Sequence, residues 1–216
     1  MTHPASALKA KAKAESIESQ ASQPAAPITD GRINRSIVTR KKIVDALSGL
    51  IREGVLSPTA EQVASRADIG LRTVFRHFED MENLYREITP QIEQLVMPVV
   101  NSPLVGEHWK DRLRESVRIR ASLYEQIAAY QLASQALRHQ SAYLHEQLMA
   151  GAALHRRVLA HNLPPALRSD RVALEGLDLA TSIDTWIRLR REQSLSAALA
   201  LDVVQHLVAG LIAGTE

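Results

Sequence analysis

Apolar positions recur at helical spacing through most of the chain. Ile43, Val44, Leu47, Leu50 and Ile51 fall at i, i+1, i+4, i+7 and i+8, the spacing of one helical face. Order is expected from about Ser36, and Gly54 ends this first helix. Thr59-Ala60-Glu61-Gln62 reads as a capping box, in which the Thr59 hydroxyl accepts from the backbone N–H of Gln62 and the Gln62 side chain reaches back. Val63, Ala64 and Ala67 then face inward. After Asp68-Ile69-Gly70 a third helix carries Leu71 to Phe78, and Asp80 caps a fourth that turns Leu84 and Ile88 inward. Pro90, Pro98 and Pro103 are expected to break or restart any helix in the stretch that follows. Beyond Trp109 the chain reads as helix almost throughout. Breaks are expected at Gly151, at Asn162-Leu163-Pro164-Pro165, and at Gln193-Ser194 before a Ser196 cap. Leu174, Leu177, Thr181 and Trp186 in one helix, and Leu199, Val203, Leu207 and Leu211 in the next, form two apolar stripes. No alternating pattern is long enough for a strand, and there is no repeat and no glycine-rich phosphate loop. The expected fold class is all-α.

Composition narrows the picture. The 216 residues, 45% hydrophobic and 23% charged, suit one or two globular domains with a real core. The absence of cysteine excludes disulfide frameworks, Cys-ligated zinc and thiol nucleophiles. It suits a reducing cytoplasm, the expected location, and no apolar run reaches the length of a membrane span. Residues 1–34, rich in Ala, Ser, Gln and Lys and interrupted by Pro24 and Pro27, read as a disordered extension. His139, His145, His155, His161 and His206 form no His-x-x-x-His pair, and neither HExxH nor GxSxG occurs, so no enzyme, metal or cofactor is expected.

The net charge of +2 changes meaning once it is divided along the chain. Residues 32–78 hold nine bases against four acids, whereas residues 79–216 hold fourteen against seventeen. A short basic segment of this kind is the electrostatic footprint of a polyanion binder.

That segment contains the most informative string, Thr59 to Phe78. A short helix, a tight turn and a second short helix make a helix-turn-helix. Small Ala64 lets the helices approach, Ile69 plugs the space under the turn, and Val74 and Phe78 pin the second helix. Its outer face carries Arg72, Thr73, Arg76 and His77, side chains suited to base edges or phosphates. Phe75 has two readings, outward contact or core. Here the chain resembles the TetR family of transcriptional regulators. Many members carry a threonine cap on the second helix and a third helix ending in Tyr-x-His-Phe, followed by a small polar residue, Lys, Glu and Leu. The matching residues are Phe75-Arg76-His77-Phe78-Glu79-Asp80-Met81-Glu82-Asn83-Leu84. The likeness extends to Thr39-Arg40 and Gly54, and near the C-terminus to Trp186–Arg191 with Leu195-Ser196. Asp68 stands where a turn glycine is usual, Gly70 replaces the usual Ser or Thr cap, and Met81 replaces a common phosphate-contacting lysine.

The resemblance implies an N-terminal helix-turn-helix DNA-binding domain (residues 35–90) and a larger helical ligand-binding and dimerisation domain (91–216). Arg72, Thr73 and Phe75 would face the major groove, with Arg76 on the same outer surface. His77 would meet a phosphate, Thr59 would anchor its helix to the backbone, and Arg35 and Arg40 would add phosphate or minor-groove contacts. The expected partners are a double-stranded operator with inverted half-sites, a second copy of the chain and a small-molecule effector, with no membrane. The two apolar stripes would form the homodimer interface, or else pack only within the subunit. An effector site is sought around Trp109, Ile119, Leu123, Tyr124, Ile127, Tyr130, Gln131 and Leu132, where apolar and hydrogen-bonding side chains mix. The competing reading is a helical small-molecule binding protein or enzyme with an incidental basic segment.

Overall fold

A computed structural model describes residues 30–214, the side chains of Asp30 and Arg32 excepted. The expected disorder of residues 1–29 lies outside the described residues. The chain divides into two compact units, Met1–Lys41 and Lys42–Glu216. Every regular element among the described residues is helical, as the periodicity predicts.

Helix α1 spans Asp30–Arg52. Its first turns belong to the first unit and begin before the expected start near Ser36, so residues 30–34, assigned above to a disordered extension, are helical. Ile33, Ile37 and Val38 are all exposed here, and this is why no buried periodicity marked the start. Local bonds hold these turns instead: Arg35 Nε donates to the Gly31 carbonyl at 3.0 Å, and Thr39 Oγ1 to the Arg35 carbonyl at 2.8 Å.

The second unit continues from Lys42 through α2 (Ala60–Arg66), α3 (Leu71–His77), α4 (Met81–Arg86), α5 (Thr89–Asn101), α6 (Trp109–Leu137) and α7 (Ala142–His161). It ends with α8 (Pro165–Ser169), α9 (Arg171–Ala180), α10 (Ile183–Ile187) with a π-helical turn at Arg188–Glu192, and α11 (Ala197–Leu211). Two apolar clusters organise it. The first joins Ile43, Leu47, Val63, Val74, Phe78 and Leu84 with Ala133 of α6 and Leu144 of α7. The second gathers Leu113, Val117, Tyr124, Leu159, Leu177, Trp186 and Val204. The long helices α6 and α7 therefore contribute to both cores.

Two expected breaks and one expected continuity are corrected. Pro98 lies inside α5. It is about one turn from the helix end, and Gln94, whose carbonyl loses its donor, is an exposed residue, where water can replace the lost bond. Gly151 does not interrupt α7. It is flanked by Ala150, Ala152 and Ala153, good helix formers that outweigh a cost of about 1 kcal/mol for one glycine. Conversely, Leu174 to Trp186 is not one helix. Ser182 starts α10 by accepting from Thr185 N–H at 3.1 Å, while Thr181 Oγ1 donates to the Leu177 carbonyl at 2.8 Å and closes α9.

Candidate functional site

The first candidate surface is built on α2 and α3. Thr59 caps α2 with both arms of the capping box, accepting from Gln62 N at 3.3 Å while Thr59 N donates to Gln62 Oε1 at 2.9 Å. The turn that follows is set by Asp68 at φ 53, the left-handed conformation for which an aspartate is tolerated. Gly70 starts α3 without a side-chain cap. Val63, Ala64 and Val74 are buried between the two helices and the first core, and Phe78 closes the far end of α3.

With Val74 turned inward, Arg72 and Arg76 lie exposed one turn apart and Thr73 is half-buried beside them. Phe75 is 49% exposed, which excludes the core reading for that residue. His77 is half-buried at the end of α3. Met81 packs against the first core, so the position of the usual lysine supplies no charge. Arg66 also departs from a simple basic face: its guanidinium grips Glu53 in two bonds of 2.5 and 2.7 Å and holds that carboxyl below its ordinary pKa. Arg35 and Arg40 lie in the first unit, Arg35 exposed and Arg40 half-buried.

The second candidate site is a cavity of about 1070 Å³ within the second unit, bounded by α5, α6, α7 and the α9–α10 turn. Val96, Val99, Ile119, Leu123, Ile127 and Leu154 make its apolar wall, and Gln131, Gln135, Arg120, His155 and Asp178 its polar one. Of the residues expected there, Ile119, Leu123, Tyr124, Ile127 and Gln131 line it. Trp109 instead packs on the second core and Tyr130 on the first, and Leu132 does not reach the cavity.

The polar end of the cavity carries its chemistry. Tyr124 donates from its hydroxyl to the Thr181 carbonyl at 3.0 Å, and burial pushes its pKa up to about 12. His155 sits between Tyr124 Oη, 3.2 Å from Nδ1, and Thr181 Oγ1, 3.3 Å from Nε2. Burial, and then the nearby charge of Arg120, lowers this imidazole to about 4. It is therefore neutral at pH 7, and its 3.6 Å approach to Asp178 is a polar contact rather than an ion pair. Burial raises the Asp178 carboxyl, whose Oδ1 is buried without a hydrogen bond. Arg120 is itself buried, and both its terminal nitrogens lack a partner. Sequence reasoning passed over Arg120, His155 and Asp178. For Arg120 a signal existed: Leu113, Val117, Arg120 and Tyr124 share one helical face, an arginine in an otherwise buried row.

The two C-terminal stripes divide. Leu177, Thr181 and Trp186 are buried inside the chain, with Trp186 Nε1 donating to Glu125 at 2.8 Å, so Trp186 is not an exposed interface residue. Leu199, Leu207 and Leu211 of α11 are exposed, together with Val172 and Leu179 of α9. The two helices meet where Gly176 adjoins Leu211, leaving a Cβ at position 176 only 3.1 Å from the leucine methyl. Among the described residues no helix is long and apolar enough to cross a membrane. Compared with models of known protein families and with curated proteins, the chain matches none.

Proposed function

We propose that the protein is a ligand-responsive transcriptional regulator of the TetR type, a homodimer that represses by binding an inverted-repeat operator. The observation that carries this reading is the outer face of α3. A seven-residue helix anchored by Val74 presents Arg72, Arg76 and an exposed phenylalanine together. Two guanidinium groups suit guanine edges or phosphates, and an aromatic ring suits a thymine methyl group. The half-exposed apolar faces of α9 and α11 support self-association, since contiguous exposed apolar surface marks interaction sites. The large, mostly apolar cavity supports an effector site.

A link between cavity and reading head is also supported. Helices α6 and α7 line the cavity and reach the first core through Ala133 and Leu144. At that junction Ser141 donates to Glu82 at 2.5 Å, and Arg86 lies 3.9 Å over the Tyr143 ring. A ligand binding one arrangement of α6 and α7 more tightly would shift the reading heads and change operator affinity by the same factor as its own.

The cavity equally favours a second reading, a small-molecule binding protein or enzyme without DNA binding. Fluorescence anisotropy with duplex DNA separates the two. Regulator function requires affinity that falls steeply with salt, by about 0.9 in log K per log salt for each neutralised phosphate. It also requires Arg72→Ala and Arg76→Ala each to weaken binding about tenfold or more. Flat, weak binding that ignores both substitutions would leave only the second reading.

A further inference from the structure

The polar end of the cavity contains a guanidinium to which the protein itself offers no hydrogen-bonding partner. Both terminal nitrogens of Arg120 make no hydrogen bond and are closed to water, so a bound group reaches them when the side chain turns toward the cavity that Arg120 lines. Two acids of the same wall are already engaged, and Asp178 acts on Arg120 through its charge alone. Glu175 accepts two bonds from Arg156 at 2.6 and 2.8 Å, and Asp184 accepts from Gln135 at 2.6 Å. Asp178 is approached by His155 at 3.6 Å and Arg156 at 3.9 Å. A guanidinium keeps its charge under all ordinary conditions, and a buried one without a partner is costly. Its planar fork matches a carboxylate, whose two oxygens accept from two N–H groups at once. Ile119 and Leu123, on α6 beside Arg120, and Val96, Val99 and Leu154 across the cavity, offer apolar surface to the rest of such a molecule.

We infer that the cavity takes an amphipathic monocarboxylic acid, its carboxylate held by Arg120 and its hydrocarbon body lying along α5, α6 and α7. The unpartnered Asp178 Oδ1 lies in the same wall. It would accept from a hydroxyl or N–H group carried near the carboxylate, so a substituted acid would be held better than a plain one. The inference deepens the effector reading above and rests on it for regulation, but the chemistry of the site is testable without DNA.

The experiment uses the full-length protein and probes matched in hydrocarbon body but differing in head group. Decanoate, decanol and decylamine form one set, and naphthoate, naphthol and naphthylamine a second. Binding is followed by calorimetry in the absence of DNA. The carboxylate of at least one set should bind about ten- to hundred-fold more tightly than its alcohol and amine, the margin a charge-assisted bidentate contact supplies. Arg120→Met should erase that margin while leaving alcohol affinity nearly unchanged. Arg120→Lys, which keeps the charge but loses the fork, should fall between and serves as the reporter if the methionine variant does not fold. Equal affinity for the three heads, a carboxylate preference that survives loss of the arginine, or no binding by any probe would each overturn the inference. Operator affinity is then measured separately with the bound acid. An acid held by Arg120 that leaves DNA binding unchanged would sink the regulatory reading while the anchor stood.

Discussion

His155 illustrates how a single side chain ties the cavity to the stability of the fold. Half-buried beside Tyr124 and Thr181, it is lowered from 6.5 to about 4, desolvation being the larger cause and the charge of Arg120 the next. The unfolded chain takes up a proton as pH drops through about 6.5, whereas the folded chain refuses it until about pH 4. Its contribution is therefore complete above the unfolded value and is lost as pH falls toward the folded one. The whole loss is about 3 kcal/mol. Asp178 acts in the opposite sense. Its carboxyl is raised by burial, so the stability it contributes is present below 3.8 and is lost as pH rises through the folded value. Between about pH 7 and pH 5 the histidine is expected to dominate. Urea midpoints at those two values should fall clearly for the native protein and much less for His155→Gln. Equal drops in both proteins would show that the imidazole is not held neutral by its surroundings.

At the scale of elements, Gly151 offers a direct test of how α7 is held. It is exposed, an added Cβ meets nothing within 4 Å, and the helix runs through it. Gly151→Ala should stabilise the protein by about 0.5–1 kcal/mol, read as a higher denaturant midpoint with unchanged slope. A loss of stability would mean that the glycine relieves a crowding not visible around α7. The other helices show what was legible in the sequence. Caps depend on three or four consecutive residues, and Thr59 with Gln62, Asp80 and Ser196 all form as read. The inward residues Leu47, Val63 and Leu84 followed from the helical pattern, and Val74 and Phe78 from the helix-turn-helix reading. Gly151 and Pro98 were misread because breaker residues were weighed singly, without the good helix formers around Gly151 or the exposed Gln94 below Pro98. The break at Thr181-Ser182 was missed because an apolar stripe continued across it. Five of the eight α6 residues that line the cavity could be named in advance. His155 and Asp178 of its polar end could not, since α7 and α9 meet α6 only in the folded chain.

At the scale of the whole molecule, self-association is expected to rest on α11 and α9 rather than on the tryptophan. Leu207 is 44% exposed on an uncharged row with Leu199 and Leu211, whereas Trp186 is 3% exposed and bonded to Glu125. Leu207→Glu should therefore give a folded monomer by sedimentation, with an unaltered far-UV spectrum. Trp186→Asp should lose the fold itself, at a cost of about 3–5 kcal/mol for a large aromatic deleted from a core. A Leu207→Glu protein that remains dimeric would place the interface elsewhere.

The central claim is that α3 reads DNA sequence, and selection from a random duplex pool by the immobilised full-length protein tests it most directly. Sequencing of the retained duplexes should reveal one enriched motif with two inverted half-sites, their centres about 34 Å or a multiple apart, as two reading heads in successive major grooves require. The double variant Arg72→Ala/Arg76→Ala should retain the fold and lose the enrichment. A folded native protein that enriches no sequence, or whose enriched sequence is unchanged in the double variant, would contradict the account.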